Sequence, residues 1–157
     1  MIALESNDTL LASQQIASMI ENARKKKPVI ISMGDVAASG GYMISAPANR
    51  IFANHLTITG SIGVFLGKVN LDGLYKKLDL KKELIGSSPY LGLYSESRAW
   101  KPEERALMVR RLNAYYTSFV SYVSDKRKIS MDDAERAAKG RSSWSCEQRR
   151  RFGQTTI

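Results

Sequence analysis

The residues best suited to covalent chemistry lie in Ala37-Ala38-Ser39-Gly40-Gly41, a hydroxyl set among the smallest side chains between an apolar run and a helical stretch. Such a turn exposes the Ser39 oxygen at a helix start. Gly40 and Gly41 would let a substrate carbonyl approach backbone N–H groups able to hold an oxyanion. The same pattern also suits a tight strand–helix junction with a capping serine. A serine hydroxyl is a weak nucleophile at neutral pH and needs a base. His55, the only histidine, follows Asn54 in a loop with no recognisable orienting acid, so a Ser-His-Asp triad is disfavoured. A lysine whose pKa is lowered by burial is the better candidate, and Lys68, Lys81 and Lys82 stand in the middle of the chain. With one cysteine, Cys146, and one histidine, a metal centre is disfavoured, and no cofactor is expected.

The elements that must position Ser39 alternate between helix and strand. Ala12, Ile16, Met19, Ile20 and Ala23 share one helical face over residues 8–23, with Asp8 as N-cap and Arg24–Lys27 at the C-terminus. Pro28 ends that helix, and Val29–Met33 reads as a strand buried on both faces. Met43–Ala46 is a close-packing helical stretch, Arg50–Asn54 a strand, and Thr57–Gly63 a loop, with another apolar run at Val64-Phe65. Leu71, Leu74, Tyr75 and Leu78 are spaced as in a helix, and Leu80–Ile85 is a candidate strand. Lys101-Pro102-Glu103-Glu104 opens a long helix whose inward face would carry Met108, Leu112, Tyr115, Phe119 and Val123. Ser130-Met131-Asp132-Asp133 resembles a capping box. The order predicts a layered α/β fold with short parallel strands.

At 157 residues, with 43% hydrophobic and 25% charged residues, the chain suits one folded domain and not a disordered, collagenous or disulfide-built one. The net charge of +9 is weighted to the second half, but basic residues are interleaved with acids and no aromatic–basic motif accompanies them, so no nucleic-acid partner is expected. No apolar run approaches the ~20 residues of a membrane-spanning helix, and Met1–Lys27 lacks the pattern of a signal peptide.

Ser32–Tyr42, followed by Ala46-Pro47-Ala48-Asn49 and Thr57-Ile58-Thr59-Gly60-Ser61-Ile62-Gly63-Val64, closely resembles the protease IV family, also called signal peptide peptidase A. A looser likeness runs from about Leu11 to Gly140-Arg141, where Ala138–Trp144 resembles the family's Gly-Arg-Val-Trp-Thr-Gly segment with a disturbed interior. The resemblance implies a ClpP/crotonase-like fold, a serine nucleophile, a lysine base and a membrane-associated oligomer that degrades hydrophobic peptides such as cleaved signal peptides. Carried over, Ser39 is the nucleophile, and Gly40 and Gly41 serve the oxyanion or the substrate. Thr59, Gly60, Ser61, Ile62 and Gly63 shape the site, with a hydroxyl there orienting the lysine and with Ile62 and Val64 lining apolar subsites.

Three departures accompany the resemblance. Short family members carry a Gly-Lys-Tyr triplet about fifty residues after the serine, and Ser88-Pro89-Tyr90 stands there instead. Pro89 resembles the C-terminal half of two-repeat members, whose lysine comes from the N-terminal repeat. The Ser-Pro-Gly-Gly turn that donates a second oxyanion N–H aligns with Glu5-Ser6-Asn7-Asp8, and the chain is expected to begin too late to include it. Gly153–Ile157 replaces a Gly-Leu-Val-Asp strand. The expectation is a single peptidase-like domain over residues 1–157, incomplete at both ends, with a divergent tail at 142–157. Its partners are a lysine-bearing N-terminal repeat and further subunits, and a segment outside this chain makes the membrane attachment. The alternatives are a non-catalytic, degenerate subunit, or a crotonase-like acyl-CoA enzyme with Asp35 as the nearest carboxylate.

Overall fold

Pro28 and the lysines before it close the first helix and turn the chain into a strand, and this alternation recurs along the sequence. The computed structural model describes residues 6–139 and 154–156. In order, the elements are α1 (Ser6–Arg24), β1 (Ile30–Ser32), β2 (Val36–Ala38), α2 (Gly40–Ser45), β3 (Arg50–Ala53), β4 (Ile58–Gly60), α3 (Asp72–Lys77), α4 (Pro102–Arg127), α5 (Met131–Ala138) and β5 (Gln154–Thr156). They fall into two compact units, one holding the described residues up to Gly63 and from Tyr116 onward, the other Val64–Tyr115.

The first unit contains two parallel sheets. One has the order β1-β3-β5, with Ile31 opposite Ile51 and Phe52 opposite Thr155. The other pairs β2 with β4. β1 is not buried on both faces as expected: Ile31 packs against the core, while Ile30, on the opposite face, is 62% exposed. Thr57–Gly63, read as a loop, contains strand β4. In the divergent tail, Gln154–Thr156 adds a third strand beside β3.

α1 forms where its periodicity predicts, but its buried stripe is Ser13 and Ala17, whereas Ile16 and Met19 are exposed. α1 packs on α2, which begins Gly40-Gly41, and small side chains on both helices permit that close approach. Apolar periodicity alone does not detect a face built from Ser and Ala. The core gathers Tyr42, Met43, Ile51, Ile62, Phe119 and Val123, closed by the alanines of α5. On α4 the expected stripe holds at Phe119 and Val123, while Tyr115 is 53% exposed. Ser130 caps α5 by accepting the Asp133 N–H at 3.1 Å and donating to its carboxylate at 2.7 Å. Three bonds tie α4 to the stretch after Ser39: the Tyr122 hydroxyl donates to the Met43 carbonyl at 3.2 Å, and Arg127 donates to the Ala46 and Ala48 carbonyls.

Ile51 is fully buried at the centre of β3. Ile51→Ala removes three carbons from a close-packed site and is expected to lower stability by ~2–5 kcal/mol, measured by urea unfolding.

The second unit is built around a buried carboxylate. Glu104, 1% exposed, accepts both guanidinium nitrogens of Arg98 at 2.7 and 2.6 Å and the Lys101 N–H at 2.8 Å, closing the first turn of α4. Gly92 lies beside this pair, and a Cβ there would force the Arg98 guanidinium to shift. Leu80–Ile85, read as a strand, has no regular structure; Leu80 and Ile85 are exposed and no described strand pairs with them. The apolar run Val64-Phe65 has no regular structure.

Arg98, first, and the Lys101 N–H hold the Glu104 pKa down from 4.5 to about 2, and Lys82 with the Tyr75 hydroxyl does the same for Glu96. A carboxylate with a depressed folded-state pKa stabilises the fold above its unfolded pKa and loses that contribution as pH falls. The Val64–Tyr115 unit is therefore expected to lose stability progressively from about pH 4.5 towards 2, followed by tryptophan emission. Glu104→Gln should flatten that slope.

Candidate active site

Three features fix Ser39. β2 and β4 run parallel with Ala38 opposite Gly60, so the chain leaving β2 meets the end of β4. The Ser39 N–H donates to the Gly60 carbonyl at 2.9 Å, and the Ser39 carbonyl accepts the Met43 N–H at 2.9 Å as the first bond of α2. Between these bonds Ser39 takes φ 51° and ψ −113°, a left-handed conformation that L residues rarely adopt and that costs ~1–3 kcal/mol.

Its side chain is exposed and makes no capping bond to α2, so the capping-serine reading does not describe it. The hydroxyl projects from a strained strand–helix turn, next to the Gly40 N–H, which precedes the first intrahelical bond and has no partner within the helix. At Gly41 a Cβ would meet Ala37 at 3.7 Å, an ordinary contact, so packing does not demand the second glycine.

The segment 59–63 divides in two. Gly60 (φ 84°) and Ser61 (φ 48°) form a left-handed turn whose start is bonded to Ser39, so the fold brings these two to the nucleophile candidate. Thr59 and Ile62 face inward. The buried Thr59 hydroxyl donates to the Ala37 carbonyl at 2.9 Å and lies 3.4 Å from the Met33 sulfur, which commits it to holding β2. Ile62 is fully buried in the core, and Val64, proposed with it, belongs to the second unit. Gly63 lies in open space, with nothing within 4 Å of a Cβ built there.

Thr57, overlooked in the sequence, ties the entry to β4 to the stretch before β2 by donating to the Gly34 carbonyl at 2.9 Å, at the other end of the strand pair from Ser39. The signal was available in Thr57-Ile58-Thr59, because alternate residues of a strand share a face and Ile58 is the exposed one. Thr59→Val removes this donor from the half-buried Ala37 carbonyl. It is expected to cost ~0.5–1.5 kcal/mol of stability in thermal unfolding, while Thr59→Ser retains most of it.

The lysine candidates lie in the second unit. Lys68 donates to the Gly92 carbonyl at 3.0 Å and stands 5.6 Å above the Trp100 ring; partial burial, then Arg98, lowers its pKa. Lys82 is hydrogen-bonded to Glu96, which raises its pKa. Lys81 is exposed, as is His55 in the first unit. Ser88-Pro89-Tyr90 is an exposed turn in which the Ser88 hydroxyl accepts the Tyr90 N–H at 3.2 Å. Of Ala138–Trp144, residues from 140 onward lie outside the described residues.

Short parallel strands, flanking helices and a serine at a tight strand–helix turn make this an α/β fold of the ClpP/crotonase type. The chain belongs to peptidase family S49, whose profile matches residues 21–152. It is 41% identical over 132 residues to a protein named chloroplastic serine protease SPPA from Arabidopsis thaliana, covering 83% of this chain and 20% of that one. It is 35% identical over 132 residues to a putative protease of Methanocaldococcus jannaschii (84% and 42%) and 37% identical over 131 residues to Protease 4 of Salmonella typhi (82% and 21%). The chain thus spans from about a fifth to under half the length of these relatives.

Proposed function

We propose that residues 1–157 form one peptidase-like domain, the C-terminal catalytic half of a long-form serine endopeptidase that degrades hydrophobic peptides such as cleaved signal peptides. The Ser39 oxygen attacks the scissile carbonyl carbon while a lysine amine takes the hydroxyl proton. The tetrahedral oxyanion accepts the Gly40 N–H, and its collapse expels the amine, which recovers the proton from lysine. Water then hydrolyses the acyl-enzyme. The observation that carries this reading is Ser39 itself: a non-glycine residue held at φ 51° with an exposed, uncapping hydroxyl. Retained strain of this kind is characteristic of functional sites.

The lysine would come from an N-terminal repeat, since Pro89 stands where short members have their base. Lys68 is not assigned that role, because its Nζ donates to a carbonyl and faces an aromatic ring, as a protonated ammonium does. Membrane association and further subunits belong to the same proposal. No helix among the described residues is long and apolar enough to cross a membrane. The exposed Pro89 turn also supports a second reading, a non-catalytic subunit.

The test is incubation of the assembled enzyme with an apolar signal-type peptide, the fragments being weighed by mass spectrometry. Internal cleavage that needs Ser39 is expected. An intact peptide, with both halves shown to associate, would instead establish the non-catalytic subunit.

A further inference from the structure

The second unit contains a cleft of about 220 Å³, walled by Leu66, Val69, Leu93, Tyr94 and Trp100, with Lys68 and Glu96 also on its lining. Its polar groups are unequally matched. The Glu96 carboxylate is held by Lys82 and the Tyr75 hydroxyl, and the nearby Glu104 by both nitrogens of Arg98. Lys68 has no carboxylate within ion-pair range among the described residues; it bonds only the Gly92 carbonyl and faces the Trp100 ring. An ammonium has three donors, so at least one remains for a ligand. Among these five charged groups Lys68 is the one without a direct ion pair, with Glu96 and Glu104 acting on it only at longer range, and its partial burial strengthens its attraction for one anion.

The walls define what accompanies that anion. Val69 and Tyr94 are each 67% exposed, and the Trp100 ring is fixed by its Nε1–H bond to the Leu93 carbonyl at 2.6 Å. An apolar group laid on Tyr94 and Trp100 would cover surface now facing water. The volume is below the ~300–1,000 Å³ of sites for drug-sized ligands, which suits the end of a chain rather than a longer segment.

We propose that this cleft binds a carboxylate carried on an apolar group, with the Lys68 ammonium as its counter-ion. A peptide C-terminus and a free fatty acid share that chemistry; the peptide end is the source that rests on the peptidase reading above.

The experiment uses the full chain with Ser39→Ala, so that no ligand is cleaved. Acetyl-dileucine, its C-terminal amide and octanoate are titrated against tryptophan emission, with Trp100→Phe identifying Trp100 as the reporter in place of Trp144. A saturable Trp100 response to acetyl-dileucine is expected, at least tenfold weaker for the amide. Lys68→Met should weaken acid binding at least tenfold without changing the circular dichroism, and Lys68→Arg should recover most of it. Tighter binding of acetyl-dileucine than of octanoate supports a peptide end, and the reverse order supports the carboxylate site with a fatty acid as its source. Equal affinity for acid and amide overturns the proposal, as does acid binding unaffected by Lys68→Met or the absence of a response to either acid. The acid–amide comparison needs no Lys68 variant, so it decides the matter even if Lys68→Met fails to fold. Because Ser39 is absent throughout, failure here leaves the peptidase reading standing. Conversely, an inactive peptidase with an acid-selective cleft would leave this site standing.

Discussion

Ser39→Ala is expected to reduce Ser39-dependent peptide hydrolysis by the assembled enzyme by at least roughly 10⁴-fold, because nucleophile and base act as a unit and little chemistry survives without the oxygen. The fold should persist: Ser39 is exposed, its side chain makes no capping bond, and its backbone bonds to Gly60 and Met43 do not depend on the hydroxyl. Ser39→Gly separates chemistry from conformation. Glycine adopts φ 51° freely, so this variant should be equally inactive yet more stable than the parent by ~1 kcal/mol, in urea unfolding. That pairing, greater stability with lost activity, is expected where strain is retained for function.

The second large effect concerns the base. Residues 1–157 alone are expected to hydrolyse an apolar peptide very poorly, and addition of the lysine-bearing N-terminal half should restore the rate. General-base assistance contributes roughly 10²–10⁴-fold, and a missing second oxyanion donor roughly 10²–10³-fold. The two losses need not multiply, since both groups serve one transition state. Initial rates for the isolated chain, for the mixture, and for each with Ser39→Ala make the comparison. Robust Ser39-dependent turnover by the isolated chain would defeat the shared-site proposal and return attention to Lys68, whose pKa is lowered, ahead of Lys82, whose pKa is raised.

The helices were legible because their signals are local. The α4 start at Pro102-Glu103-Glu104 and the α5 cap at Ser130 need no distant partner to be read. The strands were less so. Val29–Met33 has the composition of a buried strand and contains β1, but only its Ile31 face is covered, because burial depends on what packs on each face of the sheet. Leu80–Ile85 has the composition of a strand but no described partner. Ile58–Gly60 was hidden in a Thr/Gly-rich stretch whose pairing with Val36–Ala38 is non-local.

At the site, Ser39 stood out through its small neighbours. Its positive φ did not, because the conformation is imposed by the Gly60 carbonyl. Thr59 and Ile62 were recognised as part of a motif, but only the packing shows that both side chains point into the protein. The unmatched charge of Lys68 was equally invisible, since it appears only once Glu96 and Glu104 are seen bound to other cations.

The account rests most heavily on Ser39 as the nucleophile, and active-site labelling tests it most directly. The assembled enzyme is treated with a fluorophosphonate, digested, and the modified serine located by mass spectrometry. A single adduct on the Ser39 peptide, absent in Ser39→Ala and blocked by an apolar peptide substrate, is the expected result. An adduct on Ser61 or another serine that persists in Ser39→Ala would contradict the account.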